Sequence, residues 1–163
     1  MAGNERSDAS AEPELDGSGV RLAIVCGRFN DRITLRLLDG ARRGAAAAGV
    51  PDGSLVEEWV PGAFEIPFAA RAIARSGRVD AVVCLGAVIR GETSHYDFVA
   101  GECARGIQDV QLEVGVPVVF GVLTTEDVAQ AEARSAGPDG HNVGEECART
   151  AVEMVALVSR WQP

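Results

Sequence analysis

Residues 81–97 read Ala81-Val82-Val83-Cys84-Leu85-Gly86-Ala87-Val88-Ile89-Arg90-Gly91-Glu92-Thr93-Ser94-His95-Tyr96-Asp97. The run from Ala81 to Ile89 is apolar or small throughout, with no alternation between two faces. That is the pattern of a strand covered on both sides, in the middle of a parallel sheet. At Arg90-Gly91 the run breaks, and the polar groups of Glu92, Thr93, Ser94 and His95 follow. Ser94 with Asp97 three residues on has the spacing of a capping box, which predicts a helix start with His95 in its first turn. A strand end, a glycine-bearing loop and a helix N-terminus therefore meet here. In open parallel sheets ligands bind at such junctions, and the free N–H groups of a helix start suit an anion.

The alternation of strand and helix extends to both sides. Upstream, residues 20–25 predict a strand, followed by the loop Cys26-Gly27-Arg28-Phe29-Asn30-Asp31. A helix is expected over 32–48, with Ile33, Leu37, Leu38, Ala41 and Ala45 on one side and Gly49 and Pro51 to stop it. Residues 54–60 predict a second strand, Pro61-Gly62 a turn, and 63–76 a helix that tolerates Pro67 in its first turn. Downstream, a helix over 94–114 leads to a strand over 116–123. Thr124 with Asp127 predicts a helix to about residue 135, and Gly137-Pro138-Asp139-Gly140 a loop. Asn142 with Glu145 opens the last helix, striped by Cys147, Ala148, Ala151, Val152, Val155 and Val158. This order implies right-handed crossovers and a three-layer α/β/α sandwich on a four-stranded parallel sheet. Residues 1–19 are acidic and nearly free of apolar groups, which predicts a disordered tail before a single domain over 20–163.

The chain has 163 residues, enough for one domain with a proper core. Its 47% hydrophobic and 24% charged residues are those of a soluble globular protein. No apolar run reaches the length of a membrane span, and the acidic N-terminus does not resemble a secretory signal. With no paired cysteine spacing, the expected location is the cytoplasm, with no membrane partner. A formal net charge of −9 argues against nucleic acid as a partner and leaves any anionic substrate dependent on local cations. Arg28, Arg90 and Arg134, at loop mouths, therefore carry weight. The four cysteines show no metal-ligand spacing and are read as reduced. Cys84, Cys103 and Cys147 are core fillers, while the exposure of Cys26, at a strand end, stays open.

No GxGxxG follows the first strand and no GxxxxGK[ST] occurs, so the common nucleotide phosphate loops are absent. The loop Cys26-Gly27-Arg28-Phe29 has neither the acidic residues of a phospho-acceptor nor a Ser/Thr-rich phosphate loop. Phe29 is either a stacking face for a planar ring or a staple on the following helix. Glu65 either complements a helix dipole or accepts hydrogen bonds from a polyol or amine. His95 is one of two histidines. At a helix start its imidazole is placed to transfer protons, although such a histidine also occurs without chemistry. His141 reads as exposed and inert. Arg134 ends a helix, where it either answers the dipole or clamps a phosphate. Phe120, inside an apolar strand, is by default core.

Four stretches then carry a likeness. They are Gly27-Arg28-Phe29-Asn30, Val60-Pro61-Gly62-Ala63-Phe64-Glu65-Ile66-Pro67, Gly86 through Asp97, and Pro117-Val118-Val119-Phe120-Gly121-Val122-Leu123-Thr124-Thr125. In this order, from about Val20 to the last helix, the chain resembles the 6,7-dimethyl-8-ribityllumazine synthase family. The resemblance implies a flavodoxin-like fold and a transferase of riboflavin biosynthesis. Its reaction condenses 5-amino-6-(D-ribitylamino)uracil with 3,4-dihydroxy-2-butanone 4-phosphate, through an imine, phosphate elimination and ring closure. It implies no metal and no organic cofactor.

Carried over motif by motif, the resemblance puts Phe29 on the pyrimidine ring and Glu65, with its neighbour Ala63, at the ribityl chain, with Asn30 and Phe64 also binding substrate. Ala87, Val88 and Ile89 read the ring's polar edge through their backbone. Gly91, Glu92 and Thr93 cradle the phosphate, Arg134 clamps it, and His95 moves the protons. It also implies a homo-oligomer, a pentamer or a sixty-subunit shell of pentamers, in which Phe120 and Arg134 enter the neighbour's site. Riboflavin synthase is the implied protein partner. One position departs from the likeness: where the family's last helix opens Asn-Lys-Gly, this chain has Asn142-Val143-Gly144. A charge-assisted hydrogen bond is worth about 1.5–3 kcal/mol, so the change costs roughly one to two orders of magnitude in binding or rate. The alternative is thus a weakly active lumazine- or flavin-binding paralogue, or a shell-forming one.

Overall fold

The computed structural model describes residues 10–163. The apolar run forms β3 (Ala81–Ile89), buried from Ala81 to Val88. It lies between β1 (Leu22–Gly27) and β4 (Val118–Thr125), with β2 (Leu55–Val60) beyond β1. All three pairings are parallel, in the order β2-β1-β3-β4. The unbroken apolarity of β3 follows from its neighbours. Ala81, Val83, Leu85 and Ala87 enter a core shared with α1 (Asp31–Ala47) and α5 (Val143–Trp161). Val82, Cys84 and Val88 enter a second core with α2 (Ile66–Arg75) and α3 (His95–Val114). Helices on both faces of an all-parallel sheet make the expected flavodoxin-like three-layer sandwich.

Strand lengths position the site. The pairing of β1 with β3 stops at Cys26 and Leu85, whereas β3 and β4 continue together to Ile89 and Thr125. The chain leaves β1 for β2 on one side and returns to β3 on the other. The carboxyl ends of β1 and β3 therefore flank the switch point of the sheet, where a crevice opens.

Several element ends differ from the sequence expectation. The helix expected over 63–76 begins as a 3-10 turn, Ala63–Glu65, because Pro67, in the first turn of α2, has no N–H to close an α-helical bond on Ala63 O, which accepts from Ile66 N instead. β4 runs two residues past Leu123, so Thr124 is strand and not a cap. Asp127 caps instead, its carboxylate accepting from Gln130 N at 2.8 Å at the head of α4 (Val128–Ala133). Ser94 precedes α3 but its side chain caps nothing, and Asp97 faces Arg90. Asn142 does cap α5, accepting from Glu145 N at 3.2 Å.

All four cysteines are buried and free, including Cys26; burial pushes Cys26, Cys103 and Cys147 up to about 12 and holds Cys84 well above its ordinary value. Of the segment expected to be a tail, residues 1–9 lie outside the described residues. In the remainder Leu15 packs on the α1/α5 core, Gly17 N donates to Ala48 O at 2.7 Å, and Glu12 pairs with Arg149. Among the described residues, no helix is long and apolar enough to cross a membrane, and no group of three or more His, Cys, Asp or Glu is placed to hold a metal ion.

Candidate active site

A cavity of about 630 Å³ occupies the crevice at the switch point. Its first wall is the loop after β1. Asn30 adopts the left-handed conformation, with φ 60, which asparagine tolerates better than most residues. Its side-chain amide donates to Ala87 O at 2.9 Å, bridging the gap that β1 leaves beside β3. Arg28 N and Phe29 N donate to Val60 O and Pro61 O at 2.9 and 3.1 Å, which stitches this loop to the next wall. The turn throws the Phe29 ring outward. It is 76% exposed, so it is no staple on α1 and stands free at the cavity edge.

The second wall is the loop from Pro61 and Gly62 through the 3-10 turn, where Ala63 is buried and Phe64 and Glu65 are exposed. The floor is the end of β3, where Ala87, Val88 and Ile89 line the cavity. Peptide groups along a strand face alternate sides, so those of Ala87 and Ile89 face the side from which β1 is missing. Asn30 takes Ala87 O, and the backbone groups that remain there suit a planar heterocycle with amide-like edges.

The third wall is the start of α3: Gly91, Thr93, His95, Tyr96, Phe98 and Val99. Thr93 Oγ1 accepts from His95 N at 3.3 Å, fixing the loop to the first helical residue. Arg90 reinforces this corner. Its Nε donates to Glu126 at 2.7 Å, a second guanidinium nitrogen donates to Asp97 at 3.3 Å, and the group lies 4.2 Å over the Tyr96 ring. The bond to Glu126, with Asp97 behind it, raises the Arg90 pKa further. Arg90 thus ties β3, α3 and the turn after β4 together, and is engaged by two carboxylates and not free for an anion. Among the lining residues the side chains that ionise are Glu65, His95 and Tyr96, so no permanent cation lines the cavity.

The structure brings eleven of the fourteen sequence-derived site residues to this one cavity: Phe29, Asn30, Ala63, Phe64, Glu65, Ala87, Val88, Ile89, Gly91, Thr93 and His95. Glu92 shares the loop but is turned to solvent, off the lining. Phe120 and Arg134 do not line it. Phe120 is 41% exposed on β4, which corrects the reading of an aromatic in an apolar strand as core: β4 is an edge strand and Phe120 lies outside both cores. Arg134, just after α4, is exposed and donates to Gln130 O at 3.0 Å. Sequence reasoning missed Pro61, Gly62, Tyr96, Phe98 and Val99 as lining residues. The available signal was helical spacing, since His95 and Val99 lie one turn apart and Tyr96 and Phe98 lie between them.

All five phenylalanines of the chain are exposed: Phe29, Phe64, Phe68, Phe98 and Phe120. Three of them border the cavity. The family model for 6,7-dimethyl-8-ribityllumazine synthase matches residues 19–159, a span that takes in every wall of the crevice and both edge strands. With that match over the whole domain, on a sheet whose switch point opens between the matched loops, the chain belongs to the 6,7-dimethyl-8-ribityllumazine synthase family of riboflavin biosynthesis.

Proposed function

We propose that this chain condenses 5-amino-6-(D-ribitylamino)uracil with 3,4-dihydroxy-2-butanone 4-phosphate to 6,7-dimethyl-8-ribityllumazine, releasing water and phosphate. The observation that carries the reading is the convergence, in one crevice, of an exposed aromatic face, a strand end that runs past its β1 neighbour and a helix start bearing a histidine. The pyrimidine stacks on Phe29 and pairs its edge with the backbone of Ala87–Ile89. The ribityl hydroxyls meet Glu65. The phosphoester sits on the N–H groups of Gly91, Glu92 and Thr93 at the head of α3. The amine attacks the ketone and His95 carries the proton to the departing hydroxyl, giving the imine. The imine then loses a proton and expels phosphate, and the ribityl-bearing nitrogen closes the ring with loss of a second water.

The cavity lacks a permanent cation of its own. A neighbouring copy supplying Arg134 and Phe120 answers both that lack and the exposure of Phe120. A second reading is a weakly active lumazine- or flavin-binding homologue. Val143, half-buried against the α1/α5 core, favours it, since it brings no charge. Turnover decides. The purified protein, given both substrates, is followed by lumazine absorbance and phosphate release. A rate well above the spontaneous background supports the synthase. Tight lumazine binding with background turnover, raised by Val143→Lys, supports the second reading.

A further inference from the structure

Arg36, half-buried on α1, grips the turn that carries Arg134. Its Nε donates to Ser135 O at 2.8 Å and a terminal nitrogen donates to Glu132 O at 3.2 Å. A helix leaves its last carbonyls without intrahelical partners, and α4, with six residues, has little cooperative length to hold its own end. Arg36 supplies partners from a neighbouring helix, and the Glu132 carboxylate lies 3.5 Å from Arg32 and 4.0 Å from Arg36. The far side of the turn is fixed as well. Val143 N donates to Arg134 O at 2.9 Å, and the Asn142 amide donates to Ala136 O at 2.8 Å and to Arg36 O at 3.1 Å. The backbone around Arg134 is thus held against α1 and α5, while its side chain is exposed.

We infer that Arg36 is a positioning residue for phosphate capture: it aims the Arg134 guanidinium without touching substrate. The inference rests on the reading of Arg134 as the phosphate ligand. Small displacements of a charged clamp are costly, because a bidentate contact tolerates little error in direction.

The test compares Arg36→Gln, Arg36→Lys and Arg134→Gln, reading KM for each substrate, inhibition by inorganic phosphate, and Tm. Losing one or two of the guanidinium's hydrogen bonds at the turn predicts a rise of about fivefold to tenfold in KM for the phosphorylated ketone and in the phosphate inhibition constant. KM for the amine stays unchanged, Arg36→Lys recovers part of the loss, and Arg36→Gln adds nothing in the Arg134→Gln background. A role in stability alone predicts a lower Tm with both KM values unmoved or moved together, and that result overturns the inference. Should Arg36→Gln fail to fold, Arg36→Lys carries the same comparison. If Arg134→Gln leaves phosphate inhibition unchanged, the reading of Arg134 falls. If it weakens phosphate and neither Arg36 variant does, only the role of Arg36 falls.

Discussion

At the residue scale the account rests on side chains the fold leaves exposed. His95 begins α3 and lines the cavity, and no core packing depends on it. His95→Gln therefore keeps Tm within a degree or two while kcat falls about a hundredfold, the usual size of a general acid–base contribution. Phe29, 76% exposed, is equally dispensable for the fold of one chain. Phe29→Ala raises KM for the amine about tenfold, because an offset stack is worth about 0.5–1.5 kcal/mol beyond its area. Much of this site was legible in the sequence, since each wall is a contiguous motif beside a recognisable strand end. Arg90 shows where legibility stops. As a lone cation at a loop mouth it reads as an anion ligand, yet Glu126, 36 residues away, engages it, and that pairing exists only in three dimensions.

At the element scale, one spacing gave two outcomes. Asn142 with Glu145 and Ser94 with Asp97 both match a helix-start pattern, but only Asn142 caps. Asn142 is 3% exposed, and its amide also satisfies Arg36 O and Ala136 O. Asn142→Ala is expected to cost about 1–2 kcal/mol in denaturant unfolding, from a lost cap and the loss of a donor to two half-buried carbonyls. Asn142→Asp keeps the cap but turns a carboxylate toward both carbonyls, so it is no better than alanine. At Ser94 the Asp97 N–H goes to Ser94 O at 3.0 Å and the Asp97 carboxylate to Arg90, a competition the spacing does not show. The opposite edge of the sheet serves stability. Arg21 and Asp80 join the starts of β1 and β3 through hydrogen bonds of 2.7, 2.8 and 3.1 Å. The hydrogen bond from the Arg21 side chain holds the Asp80 pKa below its ordinary 3.8. Folding thus favours the charged form. Its stabilisation is complete above about pH 4 and is lost as pH falls through the depressed folded value. In melts across this range, Asp80→Asn lies below the parent at neutral pH and the two converge in acid.

At the scale of the whole molecule, the sheet order and the two-sided core follow from apolar runs and turns, and the sequence showed both. Periodicity did not show where the phenylalanines go. Strand and helix periodicity gives the buried face within one chain and is silent on faces buried between chains. All five lie on the surface, a pattern that fits a chain whose aromatic groups are covered by copies of itself. On this account each working crevice takes Phe29 and His95 from one copy and Arg134 from another. The most direct test is complementation. His95→Gln and Arg134→Ala chains are purified separately, then unfolded and refolded together, with mixed oligomers verified by native mass. The account predicts that each parent is nearly inactive and that the mixture regains a substantial fraction of wild-type lumazine formation, from crevices that pair two intact halves. Verified mixed oligomers with no more activity than the parents would contradict it.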